Sequence, residues 1–90
     1  MSRRIPISEP IIISRFWKNR GHDAVFVVLR SYEGRNFLDI RTHEMKNGCL
    51  VPTRKGVTVA IPRMNELAAA MTKALAKAGE LGLLNDETAE

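Results

Sequence analysis

The sequence has little of the chemistry that builds disulfide-linked or metal-dependent proteins. Among its 90 residues there is one cysteine, Cys49, which excludes an internal disulfide framework and fits a reducing compartment. The two histidines, His22 and His43, and this single cysteine are too few to ligate a usual structural zinc ion. We therefore expect neither a metal nor another cofactor.

Long apolar segments are also absent. The apolar runs, such as Ile11–Ile13 and Ala24–Leu29, are far too short to span a membrane. The amino terminus, Met1 to Arg4, is basic, but no long apolar segment with a cleavage site follows it. Neither secretion nor a membrane partner is expected.

Positive charge is in excess and is segregated along the chain. The formal net charge is +4. Residues 1–56 contain eleven Lys and Arg against five Asp and Glu, a charge of +6, whereas residues 57–90 contain three against five, a charge of −2. A basic segment favours a polyanionic partner, although many basic faces are only solvated surface.

The order of the predicted elements is strands first and one helix last, which predicts an α+β fold. We predict strands or extended segments at 11–20, 24–32, 35–43, 49–52 and 57–61, with turns at Glu33-Gly34, Asn47-Gly48 and Thr53–Gly56. Residues 1–10 are predicted to be a flexible arm, 11–84 a single domain and 85–90 a frayed acidic tail.

Pro62 is predicted to end the last strand and to take the first position of the helix, which continues from Arg63 and ends near Gly79. Its apolar residues recur at three- and four-residue spacing and form one stripe: Met64, Leu67, Ala68, Met71, Leu75 and Ala78. A chain this short leaves much of its surface exposed, so we expect part of the stripe to meet the same stripe of a second copy.

A two-residue turn at Glu33-Gly34 would sort the first hairpin into two chemically different faces. One face would collect the apolar residues Val25, Val27, Leu29, Leu38 and Ile40, and this is the predicted core face. The other would interleave rings with basic groups: Phe26, Arg30, Tyr32, Arg35, Phe37, Arg41 and His43.

The second face has two interpretations. Bases stack on aromatic rings while arginines neutralise phosphates, so the pattern is typical of a platform for single-stranded nucleic acid. Alternatively, Phe26 and Phe37 lie beneath another layer and the arginines pair with Asp39 across the strands. The pattern alone leaves both open.

Two segments of the sequence match a known pattern. Tyr32-Glu-Gly-Arg-Asn-Phe-Leu-Asp-Ile-Arg41, followed after a loop by Pro52-Thr-Arg-Lys-Gly56, resembles the positive cofactor four family of transcriptional coactivators. The resemblance covers about residues 24–79. It implies a four-stranded curved antiparallel sheet followed by one C-terminal helix, a homodimer formed through the helices, and a groove for single-stranded DNA.

The resemblance also implies roles for individual residues. Tyr32 would stack on a base, Arg35 and Arg41 would contact DNA, and Arg54 and Lys55 would hold phosphates. Arg30, Phe26 and Phe37 are further candidates because they share the ring-rich face.

The chain departs from the family pattern at three positions. Glu33, Glu44 and Val51 stand where the family often has Lys, Trp and Lys, which removes positive charge and one stacking ring. The segment Arg15–Arg20, which includes Trp17 and Lys18, lies ahead of the resembling core, and our hypothesis is that it restores both. The long Ser-rich arm of eukaryotic members is absent, as in a compact bacterial relative.

These observations predict a non-enzymatic protein that binds single-stranded or melted DNA with little sequence preference and regulates transcription. RNA is an alternative ligand, and the transcription machinery is a candidate partner. The expected location is cytoplasmic and nucleoid-associated in a bacterium, or nuclear in a eukaryote. The alternative function is a protein–protein interaction module that uses the ring-rich face or the helix.

Overall fold

Four strands form one antiparallel sheet, and a single helix follows it. The computed structural model describes residues 8–85, with strands β1 Ile11–Trp17, β2 Asp23–Tyr32, β3 Arg35–Lys46 and β4 Cys49–Ala60 in the order β1-β2-β3-β4. A short 3-10 turn, Ile61–Arg63, leads into helix α1, Met64–Glu80, and a second one spans Leu83–Asn85. The predicted α+β architecture is confirmed.

The predicted arm and tail fall mostly outside the described residues, since 1–7 and 86–90 are not among them. Within the described range, no helix is both long and apolar enough to cross a bilayer.

The β2–β3 hairpin has the predicted turn and register. Glu33 and Gly34 both have left-handed φ angles, 51° and 81°, as a type I′ turn requires. Tyr32 pairs with Arg35 and Phe26 with Arg41, so the two strands sort their side chains by face as expected. Asn47-Gly48, with φ angles of 52° and 83°, makes the same kind of turn between β3 and β4.

The turn predicted at Thr53–Gly56 is wrong, because β4 is one continuous strand. Gly56 pairs with Arg41 and Pro52 with His43, so the three residues 53–55 lie opposite the single residue Thr42. The extra residues form a bulge, which removes them from the ladder without reversing the chain.

The amino-terminal extended segment is a full member of the sheet. Strand β1 pairs with β2 along its length, and its register shifts at Ile13, which makes a second bulge. It lies at the sheet edge, and all seven of its residues are exposed.

Most of the buried side chains lie on the face opposite the predicted core face. Of the five residues assigned to that face only Leu38 is buried, and the opposite face buries more side chains: Ala24, Phe26, Val28, Asp39 and His43. Residues from both edge strands line a single cleft over Phe26, so the sheet curves toward this side, which we call the concave face. Bulges increase local twist and bending, and this sheet has one in each edge strand.

Helix α1 packs mainly against the two 3-10 turns that flank it, not on the sheet. None of its residues is buried. It therefore leaves both its own apolar stripe and the outer face of the sheet without a covering layer from this chain.

The helix ends at Glu80, one residue after the predicted end near Gly79. Gly79 is inside α1, and Leu81 caps it by donating its N–H to the carbonyl of Lys77 at 3.0 Å. Gly82 follows with a φ of 77°, the left-handed conformation that terminates helices. Pro62, the predicted first residue of the helix, belongs instead to the preceding 3-10 turn, and α1 begins at Met64 with Arg63 as its N-cap.

The bulge in β4 depends on a glycine. A Cβ on Gly56 would lie 2.8 Å from the carbonyl oxygen of Ile40 and 3.1 Å from the Cα of Arg41. We therefore expect Gly56→Ala to lower the free energy of unfolding by about 1–3 kcal/mol, measured by urea denaturation.

Gly79→Ala is the matched control, because its added Cβ would meet only the Leu84 Cδ1 at 3.6 Å, an ordinary contact. Alanine in a helix is favoured over glycine by about 0.5–1 kcal/mol, so this variant should be neutral or more stable. Equal losses in the two variants would contradict the close approach at Gly56.

Candidate nucleic-acid interface

The concave face gathers most of the residues singled out from the sequence. Antiparallel partners share a face, and the observed pairs Arg15–Phe26, Trp17–Ala24, Arg30–Phe37 and Tyr32–Arg35 place their side chains on one side. These residues differ in what they contact. Some of them are engaged in contacts within the protein, and others are exposed to solvent.

A buried carboxylate lies at the centre of this face. Asp39 has a side chain only 3% exposed, and Arg30 Nε donates to its Oδ2 at 3.1 Å. Arg41 binds it through two donors, Nε to Oδ2 at 3.2 Å and Nη2 to Oδ1 at 2.9 Å. The alternative in which the arginines pair with Asp39 is thus the observed one, and the three side chains together keep one net positive charge.

Arg41 stays charged under all ordinary conditions. Its hydrogen bond to Asp39 raises the pKa of the guanidinium above its usual value, against the opposing effect of burial. Because the pKa of Arg41 is higher in the folded than in the unfolded chain, its charge stabilises the fold at every pH below the usual arginine pKa. This stabilisation is lost only in strong alkali. The charge of Arg41 therefore does not change near neutral pH.

The same arginine connects the carboxylate to the bulge of β4. Arg41 Nη1 donates to the Thr53 carbonyl at 2.9 Å, and the Thr53 hydroxyl donates to the Thr42 carbonyl at 2.8 Å. The Lys55 N–H then donates to the Thr53 hydroxyl at 3.1 Å. These bonds hold Arg54 and Lys55 at the surface, where both are exposed.

Thr53 was not singled out from the sequence. Its signal was a hydroxyl residue two positions before Lys55, which is the spacing of a side chain that hydrogen-bonds the local backbone.

Tyr32 and Arg35 lie at the tip of the β2–β3 hairpin. Tyr32 is 68% exposed, the largest exposure among the aromatic residues of the described chain, and Arg35 beside it is also exposed. Phe37 is half-buried on the same face. A ring in contact with solvent next to a cation is the arrangement that stacking on a nucleobase requires.

Phe26 is a core residue and, unlike Tyr32, not an exposed ring; its predicted contact with DNA stays a prediction. It is buried, its ring stacks on His43 with centroids 3.9 Å apart, and the Arg15 guanidinium lies 6.0 Å from its centroid. The sheet curvature encloses this position because it lies under both edge strands. His43 Nδ1 is buried beside it without a hydrogen-bond partner.

Trp17 and Lys18 are exposed but lie at the other end of the sheet. Trp17 pairs with Ala24 near the start of β2, whereas Tyr32 is the last residue of that strand. At about 3.3 Å per residue, Ala24 and Tyr32 are about 26 Å apart.

The predicted dimer residues lie along α1. Met64 and Leu67, near its start, are half-buried, whereas Ala68, Met71 and Leu75 are exposed. Of the family departures, Glu33 occupies the hairpin turn, and Glu44 and Val51 pair with each other across β3 and β4. The Glu44 carboxylate lies 3.8 Å from Lys46 Nζ.

Replacing the central carboxylate tests this description of the site. Asp39→Asn removes the negative charge that both arginines share, so we expect the free energy of unfolding to fall by about 2 kcal/mol, measured by urea denaturation. Glu66→Gln is the control: its 2.8 Å ion pair with Arg63 is exposed and should contribute less than about 0.5 kcal/mol. Similar losses in the two variants would show that Asp39 does not organise the face.

Comparisons with known proteins agree with this architecture. The fold is similar to that of BPSL1147, a PC4 homolog from Burkholderia pseudomallei K96243. Its orthorhombic crystal form matches with a TM-score of 0.68 at 22% identity, over 76% of this chain and 92% of that chain. Its tetragonal form matches with a TM-score of 0.65 at 21% identity, over 73% and 97%.

None of the curated protein sequences compared with the chain matches it significantly. Residues 22–70, however, match the family model described as Transcriptional Coactivator p15 (PC4). That match spans more than half of the 90 residues. The chain therefore belongs to the transcriptional coactivator p15 (PC4) family.

Proposed function

We propose that this protein binds single-stranded or melted DNA with little sequence preference and acts as a non-enzymatic regulator of transcription. Family membership implies DNA binding of the transcriptional coactivator type. The observation that carries the finer statement is the exposed Tyr32 ring paired with the exposed cation Arg35 at the tip of the β2–β3 hairpin. Stacking platforms combined with cationic tracks bind single strands without reading their sequence.

In this proposal, base stacking and phosphate neutralisation are carried out by different residues. Tyr32 stacks on a base, and Arg35, Arg54 and Lys55 neutralise phosphates from exposed positions. Arg30 and Arg41 share Asp39, so they contribute one net charge instead of two. Arg35, Arg54, Lys55 and the Arg30–Asp39–Arg41 group, which we call the phosphate track, together carry four net positive charges. The logarithm of the affinity should therefore fall with the logarithm of the salt concentration at a slope of about −3.

Removing the two cations of the bulge tests the phosphate track. Arg54→Ala with Lys55→Ala should weaken binding to poly-dT and to mixed-sequence single strands by the same factor, because phosphate contacts carry no sequence information. The salt slope should become shallower by about 1.4. Binding is measured by fluorescence anisotropy of a labelled strand across a range of salt concentrations.

Lys73→Ala with Lys77→Ala is the matched control, since it removes the same charge from the exposed surface of α1. It should leave both affinity and slope nearly unchanged. Equal effects of the two double variants would mean that only net charge matters, and a loss confined to one sequence would mean base readout.

We also propose that the protein is a homodimer joined through α1. Met71 and Leu75 are 61% and 60% exposed on the helical stripe, and the outer face of the sheet is half-exposed as well. Several large apolar side chains exposed along one helix face are typical of an association site. Two copies would cover it and present two concave faces to one strand, which raises affinity without new contacts.

A charge on the stripe should separate the subunits. Leu75→Glu is expected to give monomers in sedimentation velocity, with weaker binding to long single strands, because burying an unpaired carboxylate at the interface is unfavourable. Lys73→Glu places the same group two residues away, off the stripe, and should remain dimeric. A dimeric Leu75→Glu variant, folded by circular dichroism, would contradict an interface through α1.

A second candidate function is a protein–protein interaction module, favoured by the exposed apolar residues of edge strand β1. Titration of the purified protein with single-stranded DNA, duplex DNA and RNA separates the candidates. Preferential binding of single-stranded DNA supports the first proposal, preferential binding of RNA replaces its ligand, and no binding of any nucleic acid favours the protein partner.

A further inference from the structure

We propose that a cleft at the far end of the concave face holds a nucleobase of the bound strand, as a second stacking site separate from Tyr32. This inference rests on the proposed binding of single-stranded DNA. The cleft has a volume of about 760 Å³, within the range of roughly 300–1,000 Å³ that is typical of ligand sites. Both edge strands contribute to it, and the apolar side chains of the concave face that line it are Trp17, Phe26, Met45 and Leu50.

The walls of the cleft are held in place by hydrogen bonds. The Asn19 Oδ1 accepts the N–H groups of His22 at 3.1 Å and Asp23 at 2.9 Å, and its Nδ2 donates to Asp23 Oδ2 at 3.2 Å. The Met45 N–H donates to the His22 carbonyl at 3.0 Å. The loop after Trp17 is thereby tied to the strand that carries Met45, so little ordering is required of the walls when a ligand binds.

The chemistry of the cleft favours a nucleobase attached to phosphate. None of the residues that line it is acidic, and Arg15 among them holds its guanidinium 6.0 Å from the Phe26 ring. Lys18, next to Trp17 in the chain, is an exposed cation, whereas Lys46, next to Met45, lies 3.8 Å from the Glu44 carboxylate and shares its charge with it. An aromatic slot with basic groups at its margin suits a planar base whose phosphates remain in water.

The position of the cleft allows one strand to reach both platforms. It lies about 26 Å from the hairpin tip along β2, and the net positive Arg30–Asp39–Arg41 group lies between the two ends. Phe16 and Trp17 precede the residues 22–70 that match the family, so this site is built partly from a segment outside that match.

Trp17 is the only tryptophan, so its fluorescence reports on this cleft alone. Titration of the full chain with thymidine oligonucleotides of increasing length should quench Trp17 emission at the concentrations where anisotropy shows binding. Trp17→Ala should weaken binding to a long strand by about fivefold to a hundredfold, and Trp17→Phe should retain most of the affinity.

Ile12→Ala is the matched control, because Ile12 lies on the same strand and face with similar exposure, 54% against 52% for Trp17, but does not line the cleft. Its affinity should be unchanged. Circular dichroism of each variant verifies the fold. The quenching measurement uses the unsubstituted protein, so it does not depend on any variant folding correctly.

The outcomes separate this site from the proposed function. If the protein binds DNA and Tyr32→Ala weakens binding, but Trp17 emission and the Trp17→Ala affinity do not change, the cleft proposal is overturned and the function stands. If no oligonucleotide binds, both are overturned. Emission that responds to deletion of residues 86–90 but not to DNA would assign the cleft to the chain's own acidic tail, which also overturns the proposal.

Discussion

The concave face is organised around one buried carboxylate. An isolated ionised aspartate inside a sheet is strongly unfavourable, so Asp39 requires partners, and Arg30 and Arg41 supply three charged hydrogen bonds. Arg41 then reaches β4 through the Thr53 carbonyl. One group of side chains thereby connects β2, β3 and β4 and sets the shape of the surface that the proposed ligand would meet.

The electrostatics of the face follow from that arrangement. Two of its arginines are engaged by Asp39, so the cations most accessible to phosphate are Arg35 at the hairpin tip and Arg54 and Lys55 on the bulge. The bulge is both a backbone irregularity and the support for a basic pair. Net charge alone overstates the positive charge available, because it counts each arginine without its partner.

A single curved sheet beside a detached helix leaves apolar surface uncovered. The curvature buries Phe26 and Val28 within one chain, but it leaves the outer face half-exposed and the stripe on α1 open. Within residues 8–85, no element of the chain forms a second layer over either surface. The proposed homodimer would cover this exposed apolar surface, and it would bring two copies of the concave face into one particle.

Local sequence patterns are enough to predict the α+β order, the two hairpin turns, the register of the first hairpin and the apolar stripe of α1. These features depend on neighbouring residues, through left-handed φ angles at Glu33-Gly34, strand alternation and helical spacing. Three further features follow from the folded sheet: which face is enclosed, that Thr53–Lys55 form a bulge instead of a turn, and that Phe26 is covered while Tyr32 is exposed. Those outcomes depend on curvature and on hydrogen bonds between strands distant in sequence, which no local pattern encodes.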